Sequence, residues 1–238
     1  MLPTLLLPTC LLLNGPARHA PVRAQVAAAP TATSSEAKIA AAKEFLLNGN
    51  GFYSAPQPDL FAEDFVFRAP VVGPLCKSDY LETMNLFSLW TAMPDIEAND
   101  WGWCTDPADP NTVRVYVRNT GTQTAPLNVG SVSIPASNKK YCGTTESIAI
   151  TLNEDNKVKC LQAGYVVDRF SGNGNGLGAV AGILSAIGLP VPKTYSRVFR
   201  FSQWLGNTFG QTFGPRTISK EADLPAWWTS PLRGTEGL

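Results

Sequence analysis

The chain has 238 residues, 44% of them hydrophobic and 16% charged, and its 19 basic and 19 acidic side chains cancel. That length and apolar share support one domain with a buried core plus extensions. A neutral chain lacks the basic excess of an electrostatic nucleic-acid binder, so no nucleic-acid partner is expected.

Residues 1–35 contain no Asp or Glu. Leu5, Leu6, Leu7, Leu11, Leu12 and Leu13 form a short apolar stretch broken by Pro8, and Arg18, His19, Arg23 and an Ala-rich run follow. An apolar core followed by a basic, acid-free segment reads as a targeting leader. Two readings compete: a secretory signal, or a two-part algal plastid address in which a signal precedes a basic transit segment. The long acid-free run favours the plastid. No segment has the length and apolarity of a transmembrane helix. His19 is the only histidine. Once the leader is removed, none remains for Ser-His-Asp or Cys-His catalysis or for His-ligated zinc or iron. No metal or other cofactor is expected. Cys76, Cys104, Cys142 and Cys160 are widely spaced and read as buried thiols, with disulfides open in an oxidising compartment.

From residue 36 the pattern changes. Ser35 can cap a helix that starts at Glu36 and places Ile39, Ala42, Phe45 and Leu46 at helical spacing. Asn48 to Gly51 stop it. Phe65 and Phe67 alternate with Val66 and Arg68 in a short strand ended by Pro70. Ser78 opens a second helix with Tyr80, Met84 and Phe87 on one face. Four strand-like runs follow, over residues 96–104, 112–119, 143–152 and 157–169. In the second, Val113, Val115 and Val117 face inward and Arg114 and Arg118 outward. In the third, Thr144, Glu146, Ile148, Ile150 and Leu152 share a face. In the fourth, strict alternation puts Val158, Cys160, Gln162, Gly164, Val166 and Asp168 inside. Helices first and hairpin strands later predict an α+β fold, with helices on one face of a curved antiparallel sheet.

Gly176, Gly178 and Ala181 fit a G-x-G-x-x-A nucleotide fingerprint. No acidic residue follows at the required distance and the preceding strands are hairpins, so the match is set aside. Residues 179–189 form a small apolar helix. Residues 193–238 read as an aromatic and basic C-terminal extension, which either packs back on the domain or contacts a membrane or partner. Gly206, Gly210 and Gly214 argue against a long helix there.

Four segments taken together resemble the SnoaL-like polyketide cyclases of the nuclear-transport-factor-like superfamily. They are Leu60-Phe-Ala-Glu-Asp-Phe-Val-Phe-Arg-Ala-Pro70, Ala92-Met-Pro-Asp95, Gly121-Thr-Gln-Thr-Ala-Pro-Leu127, and Tyr165-Val-Val-Asp168 with the following Leu184 to Pro192. The resemblance spans about residues 40–192, within a domain bounded at 36–192. It implies a cone-shaped roll, a strongly bent sheet around helices, with an apolar pocket at the wide end and a sheet that often forms a homodimer. It also implies cofactor-independent cyclase, isomerase or lyase chemistry in enzymatic members, and ligand or protein binding alone in others. Gln123 stands where the family carries a histidine.

Asp168 matches the family's closing aspartate, and Glu146 is the second carboxylate candidate. A carboxylate in an apolar pocket has a raised pKa suited to proton transfer near neutral pH. Tyr53 and Tyr165 are candidate donors to an enolate-like oxygen, Gln162 to a carbonyl. With Phe67, Trp101 and Gln123 they make the expected substrate contacts. The expected partner is a small apolar or carbonyl-containing molecule. The alternative is a non-catalytic binder or a structural subunit of a larger plastid complex, with peripheral membrane contact through residues 193–238.

Overall fold

The computed structural model describes residues 32–165, 170–192, 196–210 and 213–228, without the side chains of 32, 33 and 165. The leader up to residue 31, and the candidate Asp168, lie outside the described residues.

Helix α1 spans Ala32–Glu44 and runs on into a π-helical turn over Phe45–Gly49. It begins upstream of the expected start at Glu36. Ser35 is therefore no cap, and its hydroxyl meets Thr105 Oγ1 at 3.3 Å. Asn50 ends the segment as expected of a turn residue, its Oδ1 accepting from Phe52 N at 2.8 Å. Strand β1 (Phe61–Arg68) and β2 (Leu75–Cys76) lead into α2 (Lys77–Phe87) and a short α3 (Leu89–Ala92). The expected face of α2 is buried through Tyr80, Met84 and Phe87.

Next come β3 (Trp101–Thr105), β4 (Thr112–Val117), β5 (Thr120–Thr122), β6 (Leu127–Val129), β7 (Val132–Ile134), β8 (Lys140–Cys142), β9 (Glu146–Leu152) and β10 (Val158–Tyr165). Helices α4 (Ala179–Ala186) and α5 (Arg197–Phe209) follow. The strand expected from residue 96 starts only at Trp101. Glu97 instead makes an isolated bridge to Thr120.

The main sheet has the order β2-β1-β10-β9-β4-β3, antiparallel except for the parallel β1/β10 pair. The register shifts between Phe61 and Val66, between Val158 and Cys160, and between Trp101 and Cys104. Bulges of this kind bend and coil a sheet. The protein is thus α+β, a curved, mostly antiparallel sheet with helices on its inner face. Val113, Val115, Val117, Ile148, Ile150, Leu152 and Leu161 cover that face and pack against Ala42, Phe45 and Leu46. Each large side chain so buried contributes roughly 1.5–3 kcal/mol of transfer free energy. A second cluster, with Leu89, Met93, Leu127, Tyr141 and Ile183, closes one end.

Two segments that carry the resemblance are joined directly. Asp95 accepts from Thr122 N at 2.7 Å and Thr122 Oγ1 at 2.8 Å, and these bonds hold its carboxyl below the ordinary range.

The chain after α5 returns to the body. Gly73 N donates to Thr217 O at 2.7 Å, Ser219 N to Pro74 O at 2.8 Å, and Trp227 Nε1 to Asp64 O at 2.9 Å. Against expectation, the extension does form a helix of 13 residues. Gly206 is tolerated because its bare Cα faces the Pro215 carbonyl, where a Cβ would stand 2.7 Å from the oxygen. Cys76, Cys104, Cys142 and Cys160 are all free thiols.

Candidate functional site

At the first residue of β9 the inner face carries a carboxylate in place of an apolar side chain. Glu146 is 3% exposed. Its Oε1 accepts from Asn119 Nδ2 at 2.9 Å and from the backbone N–H of Ala179 at 2.8 Å. Asn119 Oδ1 in turn accepts from the Tyr53 hydroxyl at 2.6 Å. Tyr53 packs against both apolar clusters, so the array lies where they meet.

Each position has a local cause. Asn119 continues the inward parity of Val113, Val115 and Val117 two residues beyond β4. Ala179 opens α4, and its φ of +48° is the left-handed conformation that non-glycine residues seldom adopt. It aims a helix N-terminal N–H, a favourable partner for a carboxylate, at Glu146. Among the described residues no hydrogen bond reaches Glu146 Oε2.

Burial raises the Glu146 pKa, and the hydrogen bonds from Ala179 and Asn119 oppose the shift without cancelling it. Burial, with the nearby Glu146 charge, raises Tyr53 well above the ordinary tyrosine value, so its proton stays on. That proton is committed to Asn119. Tyr53 therefore orients the amide and is no free donor to an enolate-like oxygen.

The other expected contacts separate. Phe67 is on the inner side of β1, its ring 5.0 Å from that of Tyr80. Gln162 is on the opposite face of the sheet from Glu146, a correction to strict alternation. Between Val158 and Cys160 the partner strand advances by one residue only, from Leu152 to Thr151. That extra residue reverses the parity and turns Leu161 and Ala163 inward. Gln162 then lines a shallow outer groove of about 330 Å³ with Arg68, Arg114 and Ser147.

Trp101, also expected in the pocket, is 45% exposed and stacks on Tyr116 with ring centroids 5.9 Å apart. Gln123 is fully buried, but its amide serves the backbone: Nε2 donates to Ala125 O at 3.2 Å and Pro135 O at 3.0 Å, and Oε1 accepts from Ser137 N at 3.1 Å. Tyr165 pairs with Glu146 through the strand register, while its side chain and Asp168 lie outside the described residues. Sequence reading missed Asn119, although the lone polar residue on an apolar parity was a visible signal. It also missed Ala179, whose contribution is a backbone group without side-chain signature.

Among the described residues no group of three or more His, Cys, Asp or Glu could hold a metal ion, and no helix is long and apolar enough to cross a membrane.

No family model matches the sequence, and no curated protein does. Solved structures do match. The chain is similar in structure to SnoaL-like and NTF2-like proteins. A protein assigned to the SnoaL-like polyketide cyclases, from Jannaschia, aligns at 12% identity and TM-score 0.48, over 68% of this chain and 99% of that one. An NTF2-like protein from Anabaena variabilis aligns at 14% identity and TM-score 0.42, over 60% and 97%. A steroid delta-isomerase from Pseudomonas aeruginosa aligns at 13% identity and TM-score 0.33, over 56% and 80%. Likeness at this level carries nothing about chemistry.

Proposed function

We propose that the domain binds a small carbonyl-containing or lipid-like molecule at the inner end of β9, and that Glu146 moves a proton on it without a cofactor. One observation carries this reading: a carboxylate buried in an apolar environment, raised in pKa, with both of its donors on one oxygen. Such a group exchanges a proton near neutral pH more readily than a solvated one. Oε1, held by Asn119 and Ala179, fixes the plane of the carboxyl. Oε2 takes a proton from the carbon beside the carbonyl and returns it to the same or a neighbouring carbon, as a cyclase or isomerase requires. Asp168 is the second carboxylate of the proposal.

The test is deuterium exchange. The full chain is incubated in D2O with a panel of cyclic ketones, and label at the α-carbon is followed by mass spectrometry. Wild type exchanges a substrate and Glu146→Gln slows it by about 10²-fold or more. Equal rates in the two proteins overturn the assignment of Glu146. A non-catalytic binding or structural role is the second reading, favoured by the hydrogen bonds that already occupy Tyr53 and Gln123. Its signature is binding by both proteins with exchange by neither.

A further inference from the structure

Helix α5 sits on the body with its polar side inward. Gln203 Nε2 donates to Val71 O at 2.9 Å, Asn207 Oδ1 accepts from Thr217 N at 2.8 Å, and Gly206 is buried against the returning chain. The opposite side carries Val198, Phe201, Trp204 and Phe209, exposed by 66%, 58%, 52% and 54%. Phe213, just past the helix, continues the row. The rings touch in sequence: Phe201 and Trp204 stack at 5.7 Å, Trp204 and Phe209 meet edge to face at 5.7 Å, and Phe209 and Phe213 are 5.6 Å apart. A surface helix of a soluble domain has the reverse arrangement, apolar side in. A contiguous aromatic patch of this kind marks an interaction site.

Charge identifies the occupant. The chain is neutral overall, yet residues 169–220 contain no Asp or Glu, and they carry Arg169, Lys193, Arg197, Arg200, Lys220 and Arg216, the last of which is paired with Asp79. Of these, Arg197 and Arg200 are exposed on α5 itself. Two copies docked through this face would set those arginines against each other with no acidic residue on the helix to answer them. An anionic lipid surface answers them directly, and its headgroup zone suits Trp and Phe beside Arg.

We propose that α5 is an interfacial anchor that seats the protein on anionic membranes, with Phe201, Trp204 and Phe209 in the headgroup boundary and Arg197 and Arg200 against lipid phosphates.

The test is co-sedimentation of the full chain with phosphatidylglycerol-containing vesicles and with pure phosphatidylcholine vesicles. Wild type sediments with the anionic vesicles and only weakly with the neutral ones, and high salt releases it. The double variant Arg197→Glu with Arg200→Glu, and the double variant Phe201→Ser with Trp204→Ser, each lose about tenfold or more in affinity for the anionic vesicles. Because all four side chains are exposed, both variants keep the wild-type circular dichroism and melting temperature. Wild type that stays in the supernatant overturns the proposal. So do variants that sediment like wild type, and so does a solution dimer that the aromatic variant dissolves.

Discussion

Asn119 stands between Tyr53 and Glu146 as a relay, accepting from the phenol at 2.6 Å and donating to the carboxylate at 2.9 Å. The amide has no freedom to flip, because only one orientation offers an oxygen to the hydroxyl and an NH2 to the carboxylate. Tyr53→Phe removes the donor and leaves Asn119 Oδ1 buried without it. The expected loss is about 1–3 kcal/mol in urea unfolding, with a larger loss for Asn119→Ala, which strips a bond from the charged group as well. In Asn119→Ala the Glu146 pKa also rises further, as a carboxyl ¹³C titration would show.

Glu146 makes stability depend on pH in a defined direction. Its folded pKa is raised above the ordinary value of 4.5. The folded state therefore holds the proton more tightly, and the contribution is fully present below that value and lost as pH rises through the folded pKa. Glu146→Gln keeps an acceptor oxygen for Asn119 and Ala179 and carries no charge. Its melting temperature relative to wild type is expected to climb across the same pH window and then level off. A difference that is flat from acid to alkaline pH would refute the raised pKa.

The Gln123 amide helps hold the two ends of the β6–β7 hairpin together, beside backbone bonds from Thr124 and Ala125 N–H to Ala92 O. Gln123→Ala leaves the carbonyls of Ala125 and Pro135 and the N–H of Ser137 short of partners in a part-buried place. Roughly 2–4 kcal/mol of stability should go with them. Hydrogen exchange at Ser137 should accelerate more than exchange in β9, which distinguishes a local fastening from a general loss.

Ser219 ties the end of the chain to the start of α2. Its hydroxyl accepts from Cys76 N at 2.8 Å and donates to Asp79 Oδ2 at 2.5 Å. Ser219→Ala strands a buried N–H and is expected to cost about 1–3 kcal/mol. Limited proteolysis should then cut the chain after α5 faster, while vesicle binding through α5 persists.

Gly182→Ala decides between two effects of opposite sign. Helix propensity favours alanine by about 1 kcal/mol in the interior of α4. The added methyl, however, would collide with the Leu177 carbonyl oxygen and stand 2.8 Å from the Tyr141 hydroxyl. A backbone carbonyl cannot rotate away, so the collision wins and the variant melts lower. A stabilised variant would show that α4 can shift on the second cluster.

Much of the architecture was legible in local pattern. The alternation of Val113, Val115 and Val117, the inward set Glu146, Ile148, Ile150 and Leu152, and the Tyr80, Met84 and Phe87 face of α2 all depend on the period of strand or helix, which sequence carries directly. The order of helices and strands likewise implied the α+β class. Glu146 was legible as a buried carboxylate because it shared a parity with three apolar residues.

What the tertiary structure decided were matters of register and partner. A single extra residue near Lys159 turned Gln162 to the far side of the sheet, and nothing local to that strand announces it, because a bulge is settled by pairing with a neighbour. The resemblance set Gln123 among the expected substrate contacts but could not say that the backbone of Pro135 and Ser137 would consume its amide. Glycines argued against α5. The helix forms because Gln203, Asn207 and Gly206 meet the body through contacts reaching back to Val71 and forward to Thr217. The carboxylate was thus fixed by periodicity, whereas its donors, Asn119 and the Ala179 N–H, came together only when β4, β9 and α4 converged, 27 and 33 residues from Glu146 along the chain.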